Sequence, residues 1–249
     1  MHCHTQPLTR LLDQVLVNKG VAIHGPADSL PDPADVVLIT VPGNHSNGLF
    51  PVQPVPASTT WETAVAWFDQ TGGPLINWSD EGCYARQIPV REGTCTVLVR
   101  DLPTASEHTE RRLNISGNLN WAPVPMTPWS PNWWADQQAL VGAAAHPLPP
   151  FGGQAFALAV EDAWVIARML ALYDDHLPTA LGEYERFRRP RALRVQAHMQ
   201  TLAAGHAQRG ALTRLANNWG LALRYRLLPE LAMQRDDWQF EYDCVKGFD

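Results

Sequence analysis

Apolar positions along this chain follow several distinct rhythms. Over residues 7–19 they recur every three to four residues, with Leu8, Leu11, Leu12, Val15 and Leu16 on one side. That spacing predicts an amphipathic helix, closed by Gly20. From Val36 to Val41 they run without alternation, as in a strand buried on both faces of a parallel sheet. From Trp61 to about Arg100 the pattern shifts to strands. Residues 86–90, a turn at 91–93 and residues 94–100 predict a hairpin. Residues 51–58 hold three prolines and read as a connector, while the polar, proline-rich stretch 101–132 predicts irregular structure. A short strand over 138–141 runs into a Pro/Gly loop and then a helix over about 154–173. That helix is apolar almost all round (Phe156, Leu158, Val160, Trp164, Val165, Ile166, Met169, Leu170), which predicts burial. A second long helix is predicted over 178–208, kinked or broken by Pro190. The mixture of strands and helices is α/β (α+β).

Composition narrows the class. The chain has 249 residues, 45% of them hydrophobic and 18% charged, which fits a globular protein and excludes a disordered one. A net charge of −6 does not advertise nucleic-acid binding. Cys3, Cys83, Cys95 and Cys244 are scattered without a C-x-x-C, so no disulfide framework is expected. His2, Cys3 and His4 read as a terminal tail, and no metal site is expected. The N-terminus lacks the pattern of a signal peptide, and no stretch reaches the ~20 apolar residues that cross a bilayer. The expectation is a cytoplasmic protein without a membrane span.

The most informative segment is Gly142-Ala-Ala-Ala-His146-Pro147-Leu-Pro-Pro150-Phe151-Gly152-Gly153-Gln154, followed by Ala155 to Ala163 with Glu161 and Asp162. It resembles the second flavin-binding segment of the FAD-dependent aromatic hydroxylases, the p-hydroxybenzoate and salicylate hydroxylase family. The family writes Gly-Asp-Ala-Ala-His-Pro, then Pro-Phe-Gly-Gly-Gln-Gly, then Asn and Glu-Asp-Ala. Here its flavin-facing aspartate is Ala143, its last glycine Ala155 and its asparagine Ala157. Residues 34–46 resemble a second family segment, Ala-Asp-Leu-Val-Val-Gly-Ala-Asp-Gly-x-His-Ser, with Thr40 at its glycine, Pro42 at its aspartate, and Leu49 at the arginine beyond it. Tyr184-Glu185-x-x-Arg188-x-Pro190-Arg191 is similar to a third. No Gly-x-Gly-x-x-Gly, the family's pyrophosphate-binding turn, occurs in the sequence.

The resemblance implies a truncated p-hydroxybenzoate-hydroxylase-like fold. Residues 1–50 would be a remnant of the FAD-binding domain and 51–130 a β-sheet substrate-binding region. Residues 131–249 would carry the second flavin segment and C-terminal helices, with a single compact unit over 1–249 left open. It also implies a missing dinucleotide-binding unit and a complete C-terminal end. Gly142, Ala143, Pro150, Gly152, Gly153 and Gln154 are the residual flavin segment.

Four residues are candidates for chemistry. His146, beside a cleft that a flavin does not fill, would titrate near neutrality, the alternative being a hydrogen-bonded loop histidine. His45, at the end of a buried strand, is either at a ligand or in a supporting hydrogen bond. Tyr84 and Arg86 lie two apart, share a strand face and suit a phenol or a carboxylate, or else form a solvent-facing pair on an edge strand. Among ten tryptophans, Trp61, Trp67 and Trp78 are candidates to stack on a planar ring, against ordinary packing. Arginine supplies 17 of the 19 basic residues, ten of them between Arg186 and Arg235, read chiefly as solvated helix faces.

Three functions follow. The first is a flavin-independent relative of the aromatic monooxygenases, without cofactor, that isomerises, cyclises or dehydrates a planar aromatic small molecule by acid–base chemistry, plausibly in secondary metabolism. The second is an FAD- and NAD(P)H-dependent aromatic hydroxylase, a fragment or one completed by another chain. The third is a non-catalytic partner of an intact monooxygenase. A homodimer that caps the open flank is compatible with each.

Overall fold

The computed structural model describes residues 36–40, 50, 61–68, 76–80, 83–91, 93–101, 119–124, 130–206 and 237–246, with isolated positions between 219 and 227. The predicted helix over 7–19 and the connector over 51–58 lie outside the described residues. Two sheets are present. In the smaller, β1 (Val37–Ile39) pairs in parallel with β8 (Gln138–Leu140), which pairs antiparallel with β7 (Trp134–Ala135). The larger is antiparallel, in the order β3-β4-β5-β2-β6, built from β2 (Trp61–Phe68), β3 (Ile76–Asp80), β4 (Cys83–Val90), β5 (Gly93–Asp101) and β6 (Ala122–Pro123).

The predicted hairpin is the centre of the larger sheet. Val90 pairs with Gly93, so a two-residue turn joins β4 to β5, and pairing continues to Cys83 opposite Arg100. Gly93 permits a close approach: a Cβ there would lie 2.3 Å from the Phe68 carbonyl oxygen. The hairpin is three residues longer on its first strand than the hydropathy pattern predicts, because Cys83, Tyr84 and Ala85 are all buried and break the alternation. Within the stretch predicted as irregular, β6 adds a two-residue edge to β2.

Two helices tie the sheets together. Helix α1 (Ala155–Leu172) and helix α2 (Leu177–His206) are joined by a four-residue connection and pack on each other. One core forms where Val165, Ile166 and Met169 of α1 meet Ala180, Leu181, Tyr184 and Ala192 of α2 beside Ala139, Leu140 and Trp133. A second forms where Leu158 of α1 and Val195, Met199 and Ala203 of α2 meet Trp61, Tyr84 and Val99 of the larger sheet, with Phe151 between. Helix α2 therefore lies in both cores.

Three expectations are corrected. Strand β1 is parallel as predicted, but among the described residues it lies at the rim of its sheet, and Leu38 is 41% exposed rather than buried. Helix α1 is apolar all round yet buries one face only: Phe156 and Val160, 52% and 53% exposed, and Leu172 point outward. Pro190 does not break α2, which runs unbroken through it. A proline inside a helix costs about 3 kcal/mol. The buried contacts of Arg188 and Arg191 on either side, with Ala192 and Val195, offset that cost.

Among the described residues, no helix is long and apolar enough to cross a membrane. Replacing Gly93 by alanine drives a methyl group against backbone rather than a yielding side chain, so Gly93→Ala should lower the unfolding free energy by about 1–3 kcal/mol. A shift of the urea midpoint measures this, and an unchanged midpoint contradicts the register at the turn.

Candidate functional site

The segment that follows β8 turns sharply. Val141 is extended (φ −136°, ψ 143°) and Gly142 is left-handed (φ +60°), a conformation that costs other residues. A Cβ on Gly142 would also press on Ala159 of α1 at 3.2 Å. One turn of 3-10 helix follows, and the amides of Ala145 and His146 both donate to the Gly142 carbonyl at 3.0 and 2.9 Å.

A buried carboxylate holds this turn. Asp162 of α1 is fully buried, and its Oδ2 accepts the Gly142 amide at 2.9 Å and meets His146 Nε2 at 2.5 Å. Its Oδ1 accepts Arg188 Nε at 2.7 Å. Arg188, also fully buried, reaches Glu161 at 2.7 Å and so takes two carboxylates at once. Burial alone would raise the Asp162 carboxyl pKa, but the His146 hydrogen bond and the charges of His146 and Arg188 outweigh it, and the net shift is downward. Burial would likewise lower Arg188, but Asp162 and Glu161 raise it. The hydroxyl of Tyr184 donates to the Leu140 carbonyl at 3.0 Å. Burial and the nearby Asp162 charge push that phenol well above its ordinary range, so it stays protonated.

The chain then crosses to the larger sheet. Gln196 of α2 donates to the Pro147 carbonyl at 3.3 Å. Phe151 inserts edge-on between Trp61 and Tyr84, with ring centroids at 5.1 and 5.5 Å. Arg86 Nη1 donates to the Gly152 carbonyl at 3.4 Å, while its buried Nε has no hydrogen-bond partner among the described residues. Burial raises the Tyr84 phenol, and the Arg86 charge partly opposes this. Gly152 and Gly153 are both left-handed (φ +72° and +70°), and nothing lies within 4 Å of the place where a Gly153 side chain would start. Gln154 then caps α1 without a side-chain bond, and the first turn holds no acidic residue. Its leading amides thus form an uncapped positive end beside Arg86.

The structure gathers some of the sequence candidates and separates others. Tyr84 and Arg86 do share a face and meet the Phe151–Gly152 loop, but β4 is an interior strand, so they are not a solvent-facing edge pair. His146 is 2% exposed, sealed against Trp133 and Asp162 and away from solvent. Its Nε2 meets Asp162, and its buried Nδ1 has no hydrogen-bond partner among the described residues. His45 lies outside the described residues. Trp61 packs against Phe151, and Trp133 is wholly buried between His146 and Tyr184. Among the residual flavin positions, Ala143, Ala155 and Ala157 are exposed and Gly142 and Gln154 buried.

The role of Arg188 was not assigned from sequence, although a signal was present. Two adjacent acids on a largely apolar helix call for cations where they are buried. Arg188 and Arg191 sit three apart on the next helix, where such cations would be sought. No cluster able to hold a metal ion occurs among the described residues.

No protein-family model matches the chain. It is 39% identical over 74 residues to the 3-amino-4-hydroxybenzoate 2-monooxygenase PtnB3 of Streptomyces platensis, covering 30% of this chain and 18% of that protein. It is 31% identical over 137 residues to the asperlicin C monooxygenase of Petromyces alliaceus, covering 50% of this chain and 30% of that protein. The chain is similar in sequence to aromatic monooxygenases of the FAD-dependent kind. The fold agrees. The crystal structure of pqsL, a probable FAD-dependent monooxygenase from Pseudomonas aeruginosa, superposes with a TM-score of 0.57 at 20% identity. That match covers 70% of this chain and 57% of the other. The chain thus spans less than a third of the length of these two curated relatives and rather more than half of the solved structure.

In this relative of the monooxygenases, Asp162 should be the costliest site to lose. Asp162→Ala leaves the buried Arg188 to Glu161 alone and takes the acceptor from the Gly142 amide and His146, at a cost of about 3–5 kcal/mol in unfolding free energy. The sign of its pH dependence follows from its lowered pKa. Its stabilisation is present above the unfolded carboxyl value of about 3.9 and is lost as pH falls through the folded value. Acid unfolding followed by circular dichroism should therefore show a shallower acid limb in Asp162→Asn than in the unaltered protein.

Proposed function

We propose that this chain binds a planar aromatic acid between the Tyr84–Arg86 face of β4 and the Pro150–Gly153 loop, as part of an FAD-dependent aromatic hydroxylase whose flavin is held largely by backbone. The observation that carries this reading is the meeting of Arg86 with the Gly152 carbonyl at the uncapped start of α1. The unpaired Arg86 Nε is a donor for a ring carboxylate or phenolate, and charge-assisted bonds of this kind are the strong ones. Trp61, Tyr84 and Phe151 supply aromatic surface beside it. The Streptomyces platensis relative is named for an aminohydroxybenzoate, which is an aromatic acid.

The residues present fit one part of a flavin and not another. Left-handed Gly152 and Gly153, free space over Gly153 and the bare amides of α1 suit the electron-rich edge of a flat ring. Exposed Ala143 offers only a methyl group where the family has a carboxylate for the ribityl chain. When bound, the flavin would supply the redox chemistry that protein side chains do not carry. The chain's own part is to hold the acid by Arg86, keep the Tyr84 phenol protonated, and shield the ring with Trp61 and Phe151.

The flavin-independent acid–base reading keeps support from the three alanines, Ala143, Ala155 and Ala157, all exposed. Against it stands the burial of His146, which bonds Asp162. The outward apolar residues of α1 support association with a second polypeptide, and a monodisperse monomer in light scattering would count against that.

Titration with FAD, followed by flavin fluorescence, tests the main reading. Ala143→Asp restores an anchor for a hydroxyl, and binding should tighten about tenfold, the worth of one good hydrogen bond to a charged group. No uptake of FAD by either form would sink the hydroxylase reading, whereas turnover of an aromatic acid without FAD or NAD(P)H would establish the acid–base one. Arg86→Leu should weaken the binding of salicylate, used as probe, at least tenfold, and an unchanged affinity would remove Arg86 from the site.

A further inference from the structure

We infer that the C-terminal segment 237–244 is a clamp that positions the Gly142–Gly153 loop from outside, acting through Arg191, Arg188 and Asp162. The segment reads Asp237-Trp-Gln-Phe-Glu-Tyr-Asp243, with acidic and aromatic residues nearly alternating. Helix α2 faces it with Arg188, Arg191 and Arg194, three apart and so along one side of the helix. The contacts interlock. The Arg194 guanidinium lies 4.0 Å from the Trp238 ring centre, and Arg191 lies 4.5 Å from that of Tyr242 and 5.4 Å from that of Trp238. Arg191 also donates to the Gln239 carbonyl at 2.7 Å, and Arg188 Nη1 lies 3.4 Å from the Tyr242 hydroxyl.

The same two arginines continue inward. Arg191 and Arg188 share the Glu161 carboxylate, and Arg188 holds Asp162, which grips the Gly142 amide and His146. An unbroken run of charged contacts thus joins the C-terminal segment to the turn that opens the loop. At its ends the segment also touches both cores, with Trp238 against the one that holds Phe151 and Cys244 against the other.

The clamp is built to release before the rest of the fold. Phe240 and Tyr242 are 70% and 37% exposed, so apart from Trp238 and Cys244 at its ends the segment buries little apolar surface of its own. Segments of that kind open with a free energy well below that of global unfolding. Release would remove the outer partners of Arg188 and Arg191 and leave Asp162, Glu161 and the Leu158 carbonyl to hold them. The importance of this for ligand binding rests on the function proposed above, but the coupling itself does not.

Hydrogen exchange measured by mass spectrometry on the full chain, without ligand, tests it. The reporters are the amides of Gly142, Ala145, His146 and Phe151, each hydrogen-bonded in the loop. Trp238→Ala combined with Tyr242→Ala should speed exchange over residues 142–153 about tenfold and leave the β4–β5 hairpin unchanged. Unchanged protection of the loop, or an equal rise in the hairpin, would overturn the clamp. If the double variant does not fold, Arg191→Lys keeps the charge toward Glu161 and loses the fork that grips the Gln239 carbonyl. The same loop-selective rise is then expected, and its absence has the same meaning. Weak FAD or salicylate binding by every form, alongside loop-selective exchange, would refute the proposed function and leave the clamp standing.

Discussion

The Asp162 carboxylate is the constraint on which the rest of this structure depends. It is a full charge removed from water, and only ionic or hydrogen-bonding partners make that tolerable. Its partners come from three places: the Gly142 amide at the end of β8, His146 in the loop, and Arg188 on the neighbouring helix. Because every one is needed to satisfy the charge, the turn, the loop and the helix pair are fixed relative to one another. Local propensity alone would not hold a left-handed turn, a proline-rich loop and a proline-bearing helix in one arrangement.

The two helices make that arrangement a single body. The smaller sheet contributes a core behind the turn, and the larger sheet contributes another in front of the loop. Helix α2 is long enough to lie in both, and its arginines fall where the two cores adjoin. Ion pairs buried at such a junction stabilise less than apolar packing would, but they specify one register between the helices. The loop residues Phe151 and Gly152 then meet the strand residues Trp61, Tyr84 and Arg86, which places aromatic rings and one guanidinium side by side. The alanines at 143, 155 and 157 are exposed.

Much of the fold was legible in advance because it follows from short-range pattern. The hairpin showed in its alternation and its Glu-Gly turn, α1 in its apolar run after two glycines, and the relationship to aromatic hydroxylases in the motif around His146. The errors have one cause. Hydropathy reports that a residue prefers burial, not whether anything is there to bury it. Leu38 and Phe156 read as interior and are partly exposed, since β1 forms the rim of its sheet and one side of α1 has no described neighbour. Pro190 read as a break because its local cost is visible in the sequence and the burial that offsets it is not.

By itself the sequence determined the strands and helices, the glycines at the sharp turns and the family to which the residues around His146 point, for these depend on neighbours within a few positions. Tertiary structure alone decided that His146 is enclosed by Asp162 and Trp133, that Arg86 lies beside Gly152, and that Arg188 bridges two acids from another helix. Those pairings join residues 13 to 66 positions apart, and which charged side chains meet is settled only when the chain has brought them together.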